Sequence, residues 1–180
     1  MAFEASWMKV FYHDSTGGVF FISEIEVKRS DSTNKYSILE QIDSKYLDNG
    51  KYEFLLEYPE LTGYNRWKQT NNPVDEIEQE GKNASGYIPI SISWSNIYWG
   101  GLVKSKVPET YIEGSSQSQI HAWYSIGCFS KQYSPQFPGP GIKVSRVILW
   151  VRIPDKSTKR IFSSTFNLVV LVFSSLLILV

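Results

Sequence analysis

The chain has 180 residues, and its 18 Lys plus Arg balance its 18 Asp plus Glu, so the formal net charge is zero. This length fits one domain, since typical domains contain about 100–200 residues. The charge balance lacks the basic excess that marks a nucleic-acid-binding protein, and we expect no nucleic-acid partner. Six Trp and an aromatic content of 15% favour a β-fold core, a stacking surface, or both.

Alternation of apolar and polar residues with period two predicts four strands, at residues 19–28, 51–59, 87–94 and 143–153. Weaker strands are predicted at 7–12 and 122–126. The last of the four shows the pattern best, because apolar and large polar side chains take opposite faces. One face carries Val147, Leu149, Val151 and Ile153, and the other carries Arg146, Trp150 and Arg152.

One helix is predicted before the C-terminal tail, at residues 37–47. Ile38, Ile42 and Tyr46 are spaced four apart, and Ser37 is available as an N-cap with Glu40 three residues later. Residues 74–80 predict one further, acidic helical turn. Segments rich in Gly, Asn, Pro and Ser separate the strands, which is typical of a sandwich. We therefore expect a mainly β fold over residues 1–154, an antiparallel β-sandwich or jelly roll with one short helix.

The last twenty residues, 161–180, contain no charged side chain. As a helix rising ~1.5 Å per residue they would span ~30 Å, the thickness of a bilayer's hydrocarbon core. They predict a C-terminal transmembrane helix, a membrane localisation and the lipid bilayer as a partner. Residues 155–160, which include Lys156, Lys159 and Arg160, are interpreted as a basic linker between domain and membrane.

Two kinds of anchor are compatible with this tail. The basic flank, the single cysteine Cys128 and the lack of a signal peptide at the N-terminus favour a tail anchor with the domain facing the cytosol. A glycosylphosphatidylinositol signal also ends in an apolar tail behind small residues, here Ser157 and Thr158. The sequence does not decide between these two anchors, and so it does not decide which side of the membrane the domain faces.

No combination of residues indicates catalysis. His13 and His121 are far apart in the chain, and neither has a zinc-ligand spacing around it. The acidic run from Asp75 to Glu80 lacks the ordered spacing and glycine of a calcium loop. We expect no enzyme activity, no metal and no cofactor, with a jelly-roll hydrolase as the weakest alternative.

Two predicted loops combine large aromatic rings with amide or guanidinium groups, and a third cluster combines Trp123 and Tyr124 with His121. Sugars present apolar C–H faces and many hydroxyls, so such loops suit carbohydrates, and Trp, Tyr and Arg also concentrate binding energy at protein interfaces. The sequence thus favours a membrane-anchored, non-enzymatic binding module with a carbohydrate or protein ligand. A cytosol-facing adaptor or structural protein is the alternative. A purely structural interpretation of the rings is that they close the ends of a sandwich. The candidate ligand-binding residues are Asn65, Arg66, Trp67, Asn96, Tyr98, Trp99, Trp123 and Tyr124.

The succession of short strands, Trp-bearing loops and a final strand at residues 147–153 that contains Trp150 and Arg152 resembles the discoidin-type (coagulation factor 5/8 C-type) galactose-binding-like domains. The resemblance extends over nearly all of residues 1–154. It implies a β-sandwich whose ligands bind at loops on one end. No individual binding residue is carried over from that family.

Overall fold

The computed structural model describes residues 6–94, 99–106, 110–114, 125–129, 136–140 and 142–155. This part of the chain is mainly β, with one short α-helix, α1, at Glu24–Lys28. The strands are β1 Trp7–Asp14, β2 Ser30–Asp31, β3 Lys35–Ser37, β4 Tyr52–Glu57, β5 Asn65–Gln69, β6 Ile88–Ile92, β7 Leu102–Lys104, β8 Thr110–Gly114, β9 Ser125–Cys128, β10 Phe137–Pro138, β11 Lys143–Val144 and β12 Arg146–Arg152.

Seven of these strands form one antiparallel sheet in the order β2-β3-β1-β12-β4-β5-β6. Strand β12 lies between β1 and β4, so strands from opposite ends of the domain are hydrogen-bonded neighbours. Strands β7, β8 and β9 form a second antiparallel sheet, and β10 pairs with β11. The centre of the large sheet is therefore made by contacts that are distant in sequence.

One apolar core contains side chains from both larger sheets. Burying a large apolar side chain stabilises a fold by roughly 1.5–3 kcal/mol, so this shared cluster holds the sheets together. The large sheet contributes Phe11, Phe54, Leu56, Trp67, Val147 and Leu149, and the three-stranded sheet contributes Leu102, Tyr111, Ile112, Ile126 and Cys128.

Three of the four main predicted strands are confirmed, as β4, β6 and β12, and the weaker strand at 7–12 is confirmed as β1. The weak strand at 122–126 overlaps β9. In β12, Val147, Leu149 and Val151 are buried as predicted, although Ile153 beyond the strand end is exposed. Strand β6 differs, because a β-bulge opposite Arg66 and Trp67 interrupts its period-two pattern. Ile88, which pairs with Lys68, and Ile90 are exposed, whereas Ile92 packs against the core.

The strand predicted at 19–28 is wrong, since its second half is the helix α1. The hydroxyl of Ser23 accepts a hydrogen bond from the Glu26 N–H, and the Glu26 carboxylate accepts one from the Ile22 N–H. This reciprocal capping starts a helix and outweighs the period-two pattern. As a result Ile25 is exposed and Val27 is buried, whereas the strand prediction placed both on one buried face.

The helix predicted at 37–47 is also wrong. Ser37 ends strand β3, and its hydroxyl donates to the Val27 carbonyl instead of capping a helix. Two 3-10 turns follow, at Leu39–Gln41 and Ser44–Tyr46, and the second is capped by the side chain of Asp43. Likewise, residues 74–80 form no helix, because Ile77 makes a parallel bridge to Lys104.

No helix within the described ranges is both long enough and apolar enough to cross a membrane. The predicted transmembrane segment at 161–180 and all of the predicted linker except Asp155 lie outside the described residues.

Candidate ligand-binding face

The first predicted ligand-binding loop is a strand. Residues Asn65, Arg66 and Trp67 belong to β5, which pairs with β4 on one side and with β6 on the other. Asn65 is fully buried, donates to the Trp94 carbonyl at 3.2 Å and accepts from the Trp94 N–H at 3.0 Å. Its amide thus fixes the chain that follows β6. These bonds give Asn65 a structural role.

Trp67 and Trp99 lie together in the core. Both are buried, and their rings meet edge to face with centroids 4.9 Å apart. The Trp67 indole N–H donates to the side-chain oxygen of Gln69 at 2.8 Å. Neither ring has an open face for a ligand in this arrangement. Asn96, Tyr98, Trp123 and Tyr124 lie outside the described residues.

Arg66 is the described member of the predicted set that reaches solvent, and it belongs to a different surface. Residues that are paired across antiparallel strands project on the same side of a sheet, and the side of the large sheet turned away from the core carries rings interleaved with charges. We call this surface the outer face. It comprises Trp7, Lys9, Tyr12, Tyr36, Glu53, Glu57, Arg66, Lys68, Trp150 and Arg152.

The strand register places these side chains in rows across the sheet. Lys9 pairs with Trp150, Trp150 with Leu55, and Leu55 with Arg66, which spans four neighbouring strands. A second row brings Trp7 opposite Arg152. Leu55 is buried although it projects from the outer face, so its neighbours in the row cover it.

A buried carboxylate organises one end of the outer face. Glu53 is 1% exposed, and three cations surround it. Arg66 Nε donates to Oε1 at 2.7 Å, Arg152 Nη1 donates to Oε2 at 3.0 Å, and Lys68 Nζ lies 3.7 Å from Oε2. Hydrogen bonds to a charged acceptor hold a guanidinium firmly, so both arginines are fixed in place.

Cation–π contacts order the rest of the outer face. The Arg66 guanidinium carbon lies 5.4 Å from the ring centre of Trp7. The Lys9 ammonium lies 5.5 Å from the ring centre of Tyr12 and 5.4 Å from that of Tyr36. Contacts at these distances contribute roughly 0.5–1 kcal/mol at exposed sites. The rings and cations therefore form a pre-arranged surface.

A cleft of about 350 Å³ borders the outer face at the end of β4. Glu57 of the outer face lines this cleft together with Ile148, its partner on β12. The Glu57 carboxylate accepts a hydrogen bond from the Trp150 indole N–H at 3.1 Å. The remaining walls are Tyr58, Pro59, Leu61, Thr62 and Gly63.

No protein-family model, no curated protein and no solved structure matches this chain. A functional interpretation therefore depends on the chemistry of the outer face and its surroundings.

Within the described ranges, no group of three or more His, Cys, Asp or Glu side chains is placed to hold a metal ion. His13 is buried against Phe20 and Phe21, and burial lowers its pKa to about 4. It is therefore neutral near pH 7. His121, the other histidine, lies outside the described residues.

The sequence interpretation missed most of the outer face. Trp150 and Arg152 were assigned correctly to the polar face of the last strand, but they were not singled out as binding residues. A β-bulge between Lys9 and Phe11 breaks the period-two pattern of β1, so Lys9 and Tyr12 share a face despite their odd spacing. The cations around Glu53 come from two strands that are far apart in sequence.

Proposed function

We propose that this domain is a non-enzymatic binding module and that the outer face is its ligand-binding surface. The proposal is carried by one observation, the interleaving of four large rings with Lys9, Arg66, Lys68 and Arg152 on one side of an open sheet. Trp, Tyr and Arg are the side chains that concentrate binding energy at interfaces.

A protein ligand suits this surface best. Small-molecule sites are concave and bury most of the ligand, whereas the outer face follows the surface of a sheet. Rings held by cation–π contacts lose little conformational freedom when a partner covers them, which favours binding. Carbohydrate is the second candidate, since the cleft beside Glu57 has both a concave shape and a polar lining group.

The finer architecture belongs to the same proposal. We propose a two-sheet sandwich of the jelly-roll kind, as the resemblance to discoidin-type domains implies, tethered to a bilayer by residues 161–180. The support for the tether is the uncharged, apolar composition of that segment. Protease protection on intact cells separates a cytosol-facing adaptor from a lipid-anchored surface protein, because only the surface protein would be cleaved.

Site-specific photo-crosslinking in the full-length chain tests the binding surface. A photoreactive residue replaces Lys9, which is exposed on the outer face, and in a matched variant it replaces Arg29, whose side chain is 72% exposed elsewhere. We expect a recurrent crosslinked partner from position 9 and not from position 29. Trp150→Phe, which removes the indole N–H and reduces the ring, should weaken the crosslink without unfolding the domain.

Equal crosslinking from both positions, or crosslinking from position 29 alone, would contradict the proposal. A glycan array probed with the same full-length chain tests the second candidate. Binding to a glycan that Trp150→Phe leaves unchanged would move the ligand site away from the outer face.

A further inference from the structure

We infer that the partner binds through an acidic peptide segment, whose carboxylates contact Arg66 and Arg152 and whose apolar side chains contact Trp7 and Trp150. This inference rests on the proposed function and deepens it by naming the chemistry of the ligand.

The first step is the local charge. Lys68 has a second carboxylate, Asp48, at 3.5 Å, so that pair is balanced. Arg66 and Arg152 share the single carboxylate of Glu53, which leaves one positive charge in excess at this point of the outer face. The compensating carboxylate is 1% exposed, while the side chains of Arg66 and Arg152 are 32% and 39% exposed. A ligand therefore meets guanidinium groups first.

The second step is hydrogen-bonding capacity. Each guanidinium carries five N–H donors in a planar fork. Arg66 directs the N–H groups of two of its nitrogens at Glu53, and Arg152 directs that of one. Donors thus remain on both groups in a geometry that fits a carboxylate. Because Glu53 already fixes both arginines, a ligand carboxylate need not order them.

The third step is the position of the rings. Trp7 lies opposite Arg152 in the register and contacts Arg66 through its ring. Trp150 is two residues from Arg152 on the same face of β12. A peptide with acidic and apolar side chains in succession would place both kinds of group on this surface.

The fourth step explains why a peptide fits this surface better than a uniformly charged polyanion such as a nucleic acid or a sulfated glycan. Asp14 and Glu57 lie on the same side of the sheet, further along its strands. Like charges brought together across an interface are unfavourable, so a nucleic acid or a sulfated glycan would be repelled there. A peptide with separated carboxylates avoids these two groups.

The test is an NMR titration of the full-length chain in detergent micelles, observing the arginine Nε–H signals. The first probe, the acidic pool, is a set of synthetic peptides in which Asp and Glu alternate irregularly with Leu and Gly. In the second, the amide pool, Asn replaces Asp and Gln replaces Glu. The third probe is a sulfated oligosaccharide. We expect the acidic pool to shift the signals of Arg66 and Arg152, with an affinity roughly tenfold or more above that of the amide pool and falling with added salt.

Variants give the second readout. Arg152→Gln should lower the affinity for the acidic pool by roughly tenfold, and Arg152→Lys, which keeps the charge, should restore part of it. Lys104→Gln is the matched control, because Lys104 has a similar exposure but lies on β7 of the three-stranded sheet, where it pairs with Glu24 of α1. Its affinity for the acidic pool should be unchanged.

Equal affinity for the acidic and amide pools would overturn the inference, as would tighter binding of the sulfated oligosaccharide or the absence of any shift at Arg66 and Arg152. None of these results would affect crosslinking from position 9, so a failed inference can be told apart from a failed proposed function.

Discussion

Gln69 and Leu102 exchange two hydrogen bonds, as two backbone peptide groups would. The Leu102 N–H donates to the Gln69 side-chain oxygen at 3.0 Å, and the Gln69 side-chain amide donates to the Leu102 carbonyl at 2.9 Å. Gln69 is fully buried on β5 of the large sheet, and Leu102 begins β7 of the three-stranded sheet. One side-chain amide therefore joins the two sheets, and its oxygen also accepts from Trp67.

Gln69→Leu should lower the free energy of unfolding by about 3 kcal/mol. The leucine fills a similar volume but leaves the Trp67 and Leu102 N–H groups without acceptors, and an unsatisfied buried group costs about 1–3 kcal/mol. Urea unfolding of the full-length chain measures the change. Gln41→Leu, at an exposed position, is the control and should stay within about 0.5 kcal/mol. A loss below 1 kcal/mol for Gln69→Leu would contradict the bridging role.

Gly101→Ala should disturb the same junction sterically. A Cβ atom at this position would lie 2.9 Å from the Ala84 Cβ and 2.9 Å from the Gln69 side-chain oxygen. Gly101 also has a φ of +93°, which L side chains rarely adopt. Gly17 is a matched control, since its φ is +78° and nothing lies within 4 Å of its Cβ position.

Gly17→Ala should therefore report the backbone cost alone, about 1 kcal/mol, and Gly101→Ala should cost about 1–3 kcal/mol more through overpacking. Thermal unfolding of the two variants measures the difference. Equal destabilisation of the two variants would show that the residues around Gly101 accommodate the added Cβ atom without a loss of stability.

Local patterns predicted the parts of the fold in which one signal acts alone. The alternation of β12 is uninterrupted, and its buried and exposed faces follow from it. Where two signals compete the prediction failed, since residues 19–28 alternate in hydrophobicity and also contain the Ser23 to Glu26 capping pair. The burial of Trp67 and Trp99 was not predicted, for a different reason. Trp67 is of a residue type that often binds ligands, but its burial depends on the strands on either side of β5.

Glu53 shows more clearly which features a local sequence pattern does not predict. Its side chain alternates with the apolar Tyr52 and Phe54 in the strand predicted at residues 51–59. Its burial and its three cationic neighbours, however, result from pairing with β5 and β12. Residues 66 and 152 are far apart in sequence, so no local pattern brings them to one carboxylate. Contacts of this kind follow from topology, which the strand pattern of a single sequence does not specify.

Glu53→Gln should lower the free energy of unfolding by about 1–3 kcal/mol, because hydrogen bonds to a charged group are worth roughly 1.5–3 kcal/mol and the partly exposed cations regain some hydration. Glu60→Gln is the matched control, since Glu60 pairs with Arg146 at an exposed position. Exposed pairs contribute about 0–1 kcal/mol. Urea unfolding measures the loss of stability in each variant, and equal losses would contradict the central role of Glu53.

His13 should make the stability of the domain depend on pH. Its side-chain Nε2 lies 2.9 Å from the Val19 carbonyl, and burial lowers its pKa from 6.5 to about 4. The hydrogen bond to Val19 opposes this shift, as do Asp14 and Glu26, whereas Lys35 adds to it. The unfolded chain therefore takes up a proton first as the pH falls. The contribution of His13 to the free energy of unfolding should fall by about 3 kcal/mol in total between pH 6.5 and about 4, and it should level off below that.

Urea unfolding at a series of pH values measures this dependence, and His13→Gln supplies the reference. Glutamine retains an N–H group for the Val19 carbonyl but does not titrate, so subtracting its pH profile removes the contributions of the carboxylates and of His121. The difference should lie almost entirely between pH 4 and 6.5, where the unfolded imidazole is charged and the folded one is neutral. A flat difference would mean that His13 titrates in the folded chain as it does in water, which its packing against Phe20 and Phe21 opposes.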